Sequence, residues 1–212
     1  MRSLNNGGEI SLKGDTMLSI TGEIVDIKEL LRWNLVCFVE KQARITIGGK
    51  FSRTVILPAV EGPSGANVLP YFVSEGKCYI VLVAQFRNAV EIVTWEAPGG
   101  IIGPEGVLKS MARELEEEVG VKVNLEDIQV VFKEYLLPSL INAFGWGGVV
   151  EINKNDLPPD RIYGEPQENE FTLLVVRPLV EIIEMRKSGE IVFDLWTSRL
   201  INEVANKLRI SV

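Results

Sequence analysis

From Leu18 to Leu57, apolar and polar residues alternate in short β-branched runs: Ser19 to Ile27, Arg32 to Glu40, Ala43 to Ile47 and Ser52 to Leu57. A period of two predicts half-buried strands, and Gly48-Gly49 between two of the runs predicts a hairpin turn. Glu61-Gly62-Pro63-Ser64-Gly65 predicts a loop. Denser apolar runs follow at Val68 to Val73 and Cys78 to Gln85, with a turn at Glu75-Gly76. The period then changes. After a turn at Pro98-Gly99-Gly100 and a loop to Gly106, apolar residues recur at helical spacing from Val107 to Val119. Further strands are predicted at Ile128 to Tyr135, Gly148 to Ile152 and Phe171 to Val176. Helices are predicted at Pro178 to Lys187 and Asp194 to Leu208, with Pro178 suited to a first helical position and Gly189 to a stop. The pattern is mixed α/β (α+β), with a β-rich N-terminal portion and no internal repeat. It divides into a polar leader over residues 1–16, expected to be disordered with Met17 as an alternative start, a β-rich subdomain over 17–60, and a larger domain over 61–212.

Composition narrows the chemistry. The 212 residues are 46% hydrophobic, enough to bury a core. Net charge is -7, which repels phosphate backbones, so nucleic acid is not an expected partner. An anionic substrate would then need a metal ion or local arginines. The chain has no histidine, which excludes Ser-His-Asp and Cys-His catalysis and His-ligated zinc. Cys37 and Cys78 lie in apolar strand-like runs and read as buried free thiols, in keeping with a reducing cytoplasm. No apolar run reaches membrane-span length: Phe171 to Ile183 is broken by Arg177, Pro178 and Glu181. The N-terminus lacks a signal-peptide apolar core.

Placing residues 107–119 around a helical axis aligns Leu108, Met111, Ala112, Leu115 and Val119 in an apolar stripe. Glu114, Glu117 and Glu118 fall in an arc beside it, with Val107 and Ser110. Glu116 lies on the opposite flank, facing solvent. Arg113 is one turn before Glu117 and can pair with it. Gly120 suits a left-handed cap. The acids flank the stripe instead of opposing it, so they are expected to line a cleft edge rather than a solvated face. A hard cation would relieve their repulsion, and two or more such ions can clamp a diphosphate and activate water.

The run from Gly99 to Val121 resembles the Nudix box: Gly, five residues, Glu, seven residues, then Arg-Glu-apolar-x-Glu-Glu-x-Gly-apolar. Gly99, Glu105, Arg113, Glu114, Leu115, Glu117, Glu118, Gly120 and Val121 carry it. A chance match of this length falls below about one in a million. The resemblance implies an α/β/α sandwich with a mixed sheet. It implies that Glu114, Glu117 and Glu118 bind Mg²⁺ (Mn²⁺ as an alternative). A backbone carbonyl at Gly99 or Pro98 would complete the shell, while Glu105 and Arg113 hold loop and helix in place. No Cys/His set follows the box, which argues against an isopentenyl-diphosphate isomerase.

Val83-Ala84-Gln85-Phe86-Arg87 and Trp95-Glu96-Ala97-Pro98-Gly99-Gly100 are similar to the segments before the box in ADP-ribose pyrophosphatases. That resemblance makes Arg87 and Pro138 substrate-binding candidates. Pro166-Gln167-Glu168-Asn169-Glu170-Phe171 resembles the acidic loop that contributes a catalytic glutamate, with Glu168 the first choice and Glu170 the second. Arg177-Pro178-Leu179 and Ser188-Gly189-Glu190-Ile191 are similar to the opening and ending of the helix that follows. In these relatives the β-rich portion builds a homodimer and lends residues to the partner's site, so Arg53, Trp33 and Phe51 are candidates to contact a base. The expected reaction is hydrolysis of ADP-ribose to AMP and ribose 5-phosphate. The alternatives are a GDP-mannose or other nucleotide-sugar diphosphatase, a nucleoside-triphosphate cleaner, and a non-catalytic Nudix-fold module that senses a nucleotide. No basic helix-turn-helix pattern supports a DNA-reading regulator.

Overall fold

A computed structural model describes residues 8–10, 18–47, 49, 51–159, 162–163 and 172–210. The chain divides into two units. One runs up to Pro63 and includes Tyr135–Ala143; the other comprises Ser64–Glu134 and Phe144–Val212. The segment 135–143, which the sequence pattern puts with the larger domain, thus groups with the first unit.

The first unit begins with β1 (Gly8–Ile10), β2 (Leu18–Trp33), β3 (Val36–Ile47) and β4 (Phe51–Glu61). Gly8–Ile10 fall inside the stretch expected to be a disordered leader, yet they pair antiparallel with Leu18–Ile20. Arg32 to Glu40 is not one strand. Asn34 and Leu35 form a turn between Trp33 and Val36, with Asn34 at φ 50. Asparagine tolerates that left-handed conformation, so an Asn inside an apolar run hid a hairpin. The pairing of β2 with β3 shifts register between Ile24 and Asp26 and between Glu29 and Leu31. Such bulges blur the period of two that marks a strand. Within the 135–143 segment, β10 (Ile141–Asn142) adds to β4 in parallel.

The second unit holds β5 (Gly65–Ser74), β6 (Lys77–Arg87), β7 (Ile92–Glu96), β8 (Gly99–Ile101), β9 (Gln129–Tyr135, its last residue in the other unit), β11 (Phe144–Glu151), β12 (Ile162–Tyr163) and β13 (Thr172–Pro178). Its helices are α1 (Val107–Val119), α2 (Leu179–Ser188) and α3 (Leu195–Lys207). The sheet runs β12-β13-β6-β5-β11-β9, with β7 beside β6 and β8 beside β5. It is mixed: β11 lies parallel to β5, while β6 is antiparallel to β5, β7 and β13.

Alternation along the central strands sends their side chains to two cores. Val68, Phe72, Val81 and Val83 pack with Met111, Leu115 and Val119 of α1. Leu69, Tyr71, Ile80 and Leu82 pack with Leu179 and Ile182 of α2 and Leu200, Ile201 and Val204 of α3. Strands covered on both faces read as near-continuous apolar runs, as β5 and β6 do. The result is a mixed α+β sandwich, with α1 on one face of the sheet and α2 and α3 on the other.

Two strands, β7 and β8, lie where the sequence pattern predicts none: it assigns no element to Ile92–Glu96 and a turn to Pro98-Gly99-Gly100. β11 also starts earlier than the expected Gly148. Its glycines dilute the apolar pattern, but close packing demands them. A Cβ on Gly145 would lie 2.3 Å from the Trp196 ring, and one on Gly147 2.2 Å from Phe132. Pro178 ends β13 and caps α2 rather than opening it. Cys37 and Cys78 are free and buried. Burial, aided by Glu151, pushes the Cys78 thiol up to about 11. Among the described residues no helix is long and apolar enough to cross a membrane.

Candidate functional site

α1 carries two of its four acids inward. Ser110, Met111, Glu114, Leu115, Glu118 and Val119 are its buried residues, while Leu108, expected in the apolar stripe, is exposed. The buried face is therefore rotated toward the glutamates. Glu114 and Glu118, one turn apart, are only 8% and 6% exposed. A buried carboxylate needs hydrogen-bond or ionic partners, and the strand β8 supplies backbone. Gly99 N–H donates to Glu118 Oε2 at 2.8 Å. A Cβ on Gly100 would fall 2.3 Å from Glu114 Oε1, so only glycine lets the backbone come this close. The Gly99-Gly100 pair is thus the floor on which both carboxylates rest. Gly120 ends α1 at φ 77, its N–H bonded to the Glu116 carbonyl. Glu116 points away and meets Lys122 at 2.9 Å.

Arg113 ties the remaining acids together. Its guanidinium lies 2.9 Å from Glu114, 2.7 Å from Glu117 and 3.4 Å from Glu105, and it donates to the Ile101 carbonyl at 3.2 Å. Partial burial opposes its charge, but Glu114, Glu117 and Glu105 outweigh this and hold its pKa above the usual arginine value. Glu105 accepts from Ser110 Oγ at 2.9 Å, and Gly103 N–H donates to that hydroxyl at 3.0 Å. The carboxyl of Glu105 is held below its ordinary range by its own backbone N–H, then by Ser110 and Arg113.

On the approach to the glycine pair, Arg87 at the end of β6 makes a two-pronged ion pair with the buried Glu96, through Nε at 2.8 Å and through Nη2. Thr94 Oγ1 also donates to Glu96. Burial raises the Glu96 pKa, but Arg87 and Thr94 more than reverse this and leave it lowered. Next along the chain, Ala97 N–H donates to Thr197 Oγ1 at 2.8 Å, and Val68 N–H donates to the Pro98 carbonyl at 2.8 Å. Asp194 caps α3, accepting from Thr197 N–H at 2.9 Å and from the Thr197 hydroxyl. The sequence pattern marked Asp194 as a helix start but gave no reason to single out Thr197. A small polar residue in the first turn of a helix, its contact a hundred residues away in the chain, carries no local signal.

Arg53 is exposed on β4 of the first unit, as are Phe51 on β4 and Trp33 on β2. Pro138 is exposed within the turn in which Leu140 N–H and Ile141 N–H donate to the Leu137 carbonyl. Glu168 and Glu170 lie outside the described residues. Two shallow cavities of about 380 and 440 Å³ are lined from β7, β13, α2 and the α2–α3 loop, and neither touches the α1 carboxylates.

Among the described residues no three His, Cys, Asp or Glu side chains are grouped to hold a metal ion. The geometry gives a reason: a guanidinium, and not open space, stands between Glu105, Glu114 and Glu117. The chemistry of the donors nevertheless fits a hard divalent cation. They are oxygen alone, two of the carboxylates are buried one helical turn apart, and three acids surround one arginine. No protein-family model matches the chain, and no curated protein matches it.

Proposed function

We propose that this chain is a Mg²⁺-dependent diphosphatase of Nudix type, acting on a nucleotide-linked diphosphate and first of all on ADP-ribose. The observation that carries the reading is the pair of buried carboxylates, Glu114 and Glu118, resting on the Gly99-Gly100 backbone within a run that resembles the Nudix box. Burying two acids one turn apart costs free energy that positive charge offsets, and Arg113 already meets Glu114 at 2.9 Å. The sandwich with α1 on one sheet face and α2 and α3 on the other is compatible with the fold that resemblance implies.

In this reading Glu114, Glu117 and Glu118 would hold the ion. Pro98 O already accepts from Val68 N–H, which favours the Gly99 carbonyl as the backbone ligand. When bound, a divalent ion supplies positive charge against the diphosphate oxygens and acidifies a water molecule. With an ion held by these acids, Arg113 would give up part of its contacts to Glu114 and Glu117 and would stay anchored by Glu105. Glu168, or Glu170 in its place, accepts the proton of the attacking water, since carboxylates engaged by a cation are weak bases. Arg87 orients Glu96, and the resemblance makes it the candidate to reach phosphate oxygens. The setting is a reducing cytoplasm, and the working unit is a homodimer.

One observation favours a second reading. Arg113 already ion-pairs with three box acids, as would suit a module that holds a nucleotide without cutting it. A panel of ADP-ribose, GDP-mannose, other nucleotide sugars and nucleoside triphosphates, incubated with the purified protein and Mg²⁺, separates the two. AMP release from ADP-ribose, abolished by EDTA and restored by Mg²⁺ or Mn²⁺, is the expected result. Nucleotide binding by calorimetry with no turnover of any panel member would replace the enzyme reading with the sensing one.

A further inference from the structure

The segment Glu96-Ala97-Pro98-Gly99 is fixed from both sides of its sheet. On the α1 side, Gly99 N–H donates to Glu118 at 2.8 Å. On the α3 side, Ala97 N–H donates to Thr197 Oγ1 at 2.8 Å. Thr197 is fully buried, and its one hydroxyl proton is committed to Asp194, so its oxygen faces Ala97 as an acceptor. Asp194 in turn receives Thr197 N–H at 2.9 Å, closing the first turn of α3. Only Pro98 separates Ala97 from Gly99; the chain bends there, and with the proline ring fixing φ so short a span carries a displacement of Ala97 on to Gly99.

We propose that Thr197 is a positioning residue for the carboxylate site: through Ala97 it sets the register at which Gly99 N–H meets Glu118, so the first turn of α3 governs the site on the opposite face of the sheet. This rests on the diphosphatase reading only in what the site is for; the mechanical link is a property of the chain alone. A buried N–H that loses its acceptor relaxes toward another partner, and that movement carries Gly99 away from Glu118. Supporting groups of this kind commonly change metal affinity by about tenfold or more when removed.

Thr197→Val keeps side-chain shape and the backbone N–H that Asp194 caps, and deletes only the acceptor. Thr197→Ser keeps the acceptor. Asp194→Asn keeps an oxygen for the cap but replaces the acceptor of the Thr197 hydroxyl proton with a donor; it serves as a second variant should Thr197→Val not fold. The readouts are amide hydrogen exchange at Ala97 and Gly99 in metal-free protein, and Mn²⁺ affinity by paramagnetic titration. The expected result is faster exchange at both amides and about tenfold weaker Mn²⁺ binding in Thr197→Val, the same direction in Asp194→Asn, and wild-type behaviour in Thr197→Ser. Unchanged Gly99 exchange in a folded Thr197→Val or Asp194→Asn protein overturns the proposal. If the wild type binds no Mn²⁺, the metal-site reading fails, and the exchange data alone decide the link from Thr197 to Gly99.

Discussion

Glu117 and Glu118 are neighbours in the chain with different surroundings. Glu118 is buried against Gly99 N–H, while Glu117 is half-exposed and paired with Arg113 at 2.7 Å. Both are proposed cation ligands, so Glu117→Gln and Glu118→Gln should each lower turnover by about 100-fold or more, with the protein still folded. Initial rates at low Mg²⁺ check this, and full activity in either variant removes the metal assignment. These side chains were legible in the sequence because their spacing alone puts them on one helix face. Arg87 was legible as a substrate-binding candidate through the resemblance of its segment, but not as half of an ion pair. Its partner Glu96 became apparent only once β7 was known to pair with β6. That pair makes a separate prediction. The folded Glu96 pKa lies below its ordinary 4.5, so the stability it contributes is present above about pH 4.5 and is lost as pH falls through the lower folded value. Arg87→Ala should remove this acid sensitivity and cost about 2 kcal/mol, less than a fully buried pair because Arg87 is 43% exposed. Melting temperatures measured from about pH 7 down to about pH 3 would refute the assignment if the variant's profile matched the wild type's.

At the scale of elements, α1 was legible nearly to the residue, since Val107–Val119 is what its periodicity predicts. The rotation of its buried face was not. Helical geometry placed the acids beside the stripe, but which neighbours the helix meets is decided by β8, a three-residue strand whose glycines read as a turn. Short strands built from glycine have no period to detect, and their pairing is a long-range property. The same glycines carry a prediction. Gly100→Ala puts a Cβ 2.3 Å from Glu114 Oε1, so the carboxylate must leave its place or the strand must shift. Activity should fall by about 100-fold or more while stability drops only about 1–3 kcal/mol, the usual cost of overpacking. Gly22→Ala, with nothing within 4 Å of the added methyl, serves as the control for the loss of a strand glycine. Equal losses of activity in the two variants would detach Gly100 from the site.

For the whole molecule, the first unit is the part its own contacts leave incomplete. Its strands are long, 16 residues in β2, 12 in β3 and 11 in β4, where globular strands run to about 5–6. In β3 only Cys37 and Val39 are buried, on one face. The other face carries Leu31, Phe38 and Val60 in one row across the three strands, with Leu31 59% and Phe38 44% exposed. Ile27, Trp33, Phe51, Ile56 and Leu57 are exposed on the same strands. Monomers rarely show so many apolar side chains on one small sheet, and long strands with exposed apolar faces invite self-association. A second copy of the chain is the partner that supplies a matching surface without further assumption, since a two-fold interface buries the same patch twice. The chain should therefore be a homodimer at micromolar concentration, as light scattering coupled to size exclusion would show. Leu31→Glu combined with Phe38→Glu should give a folded monomer, because two carboxylates in one row cannot be buried against their own copies. A monomeric wild type removes the claim. A dimer that survives both substitutions moves the interface off this row.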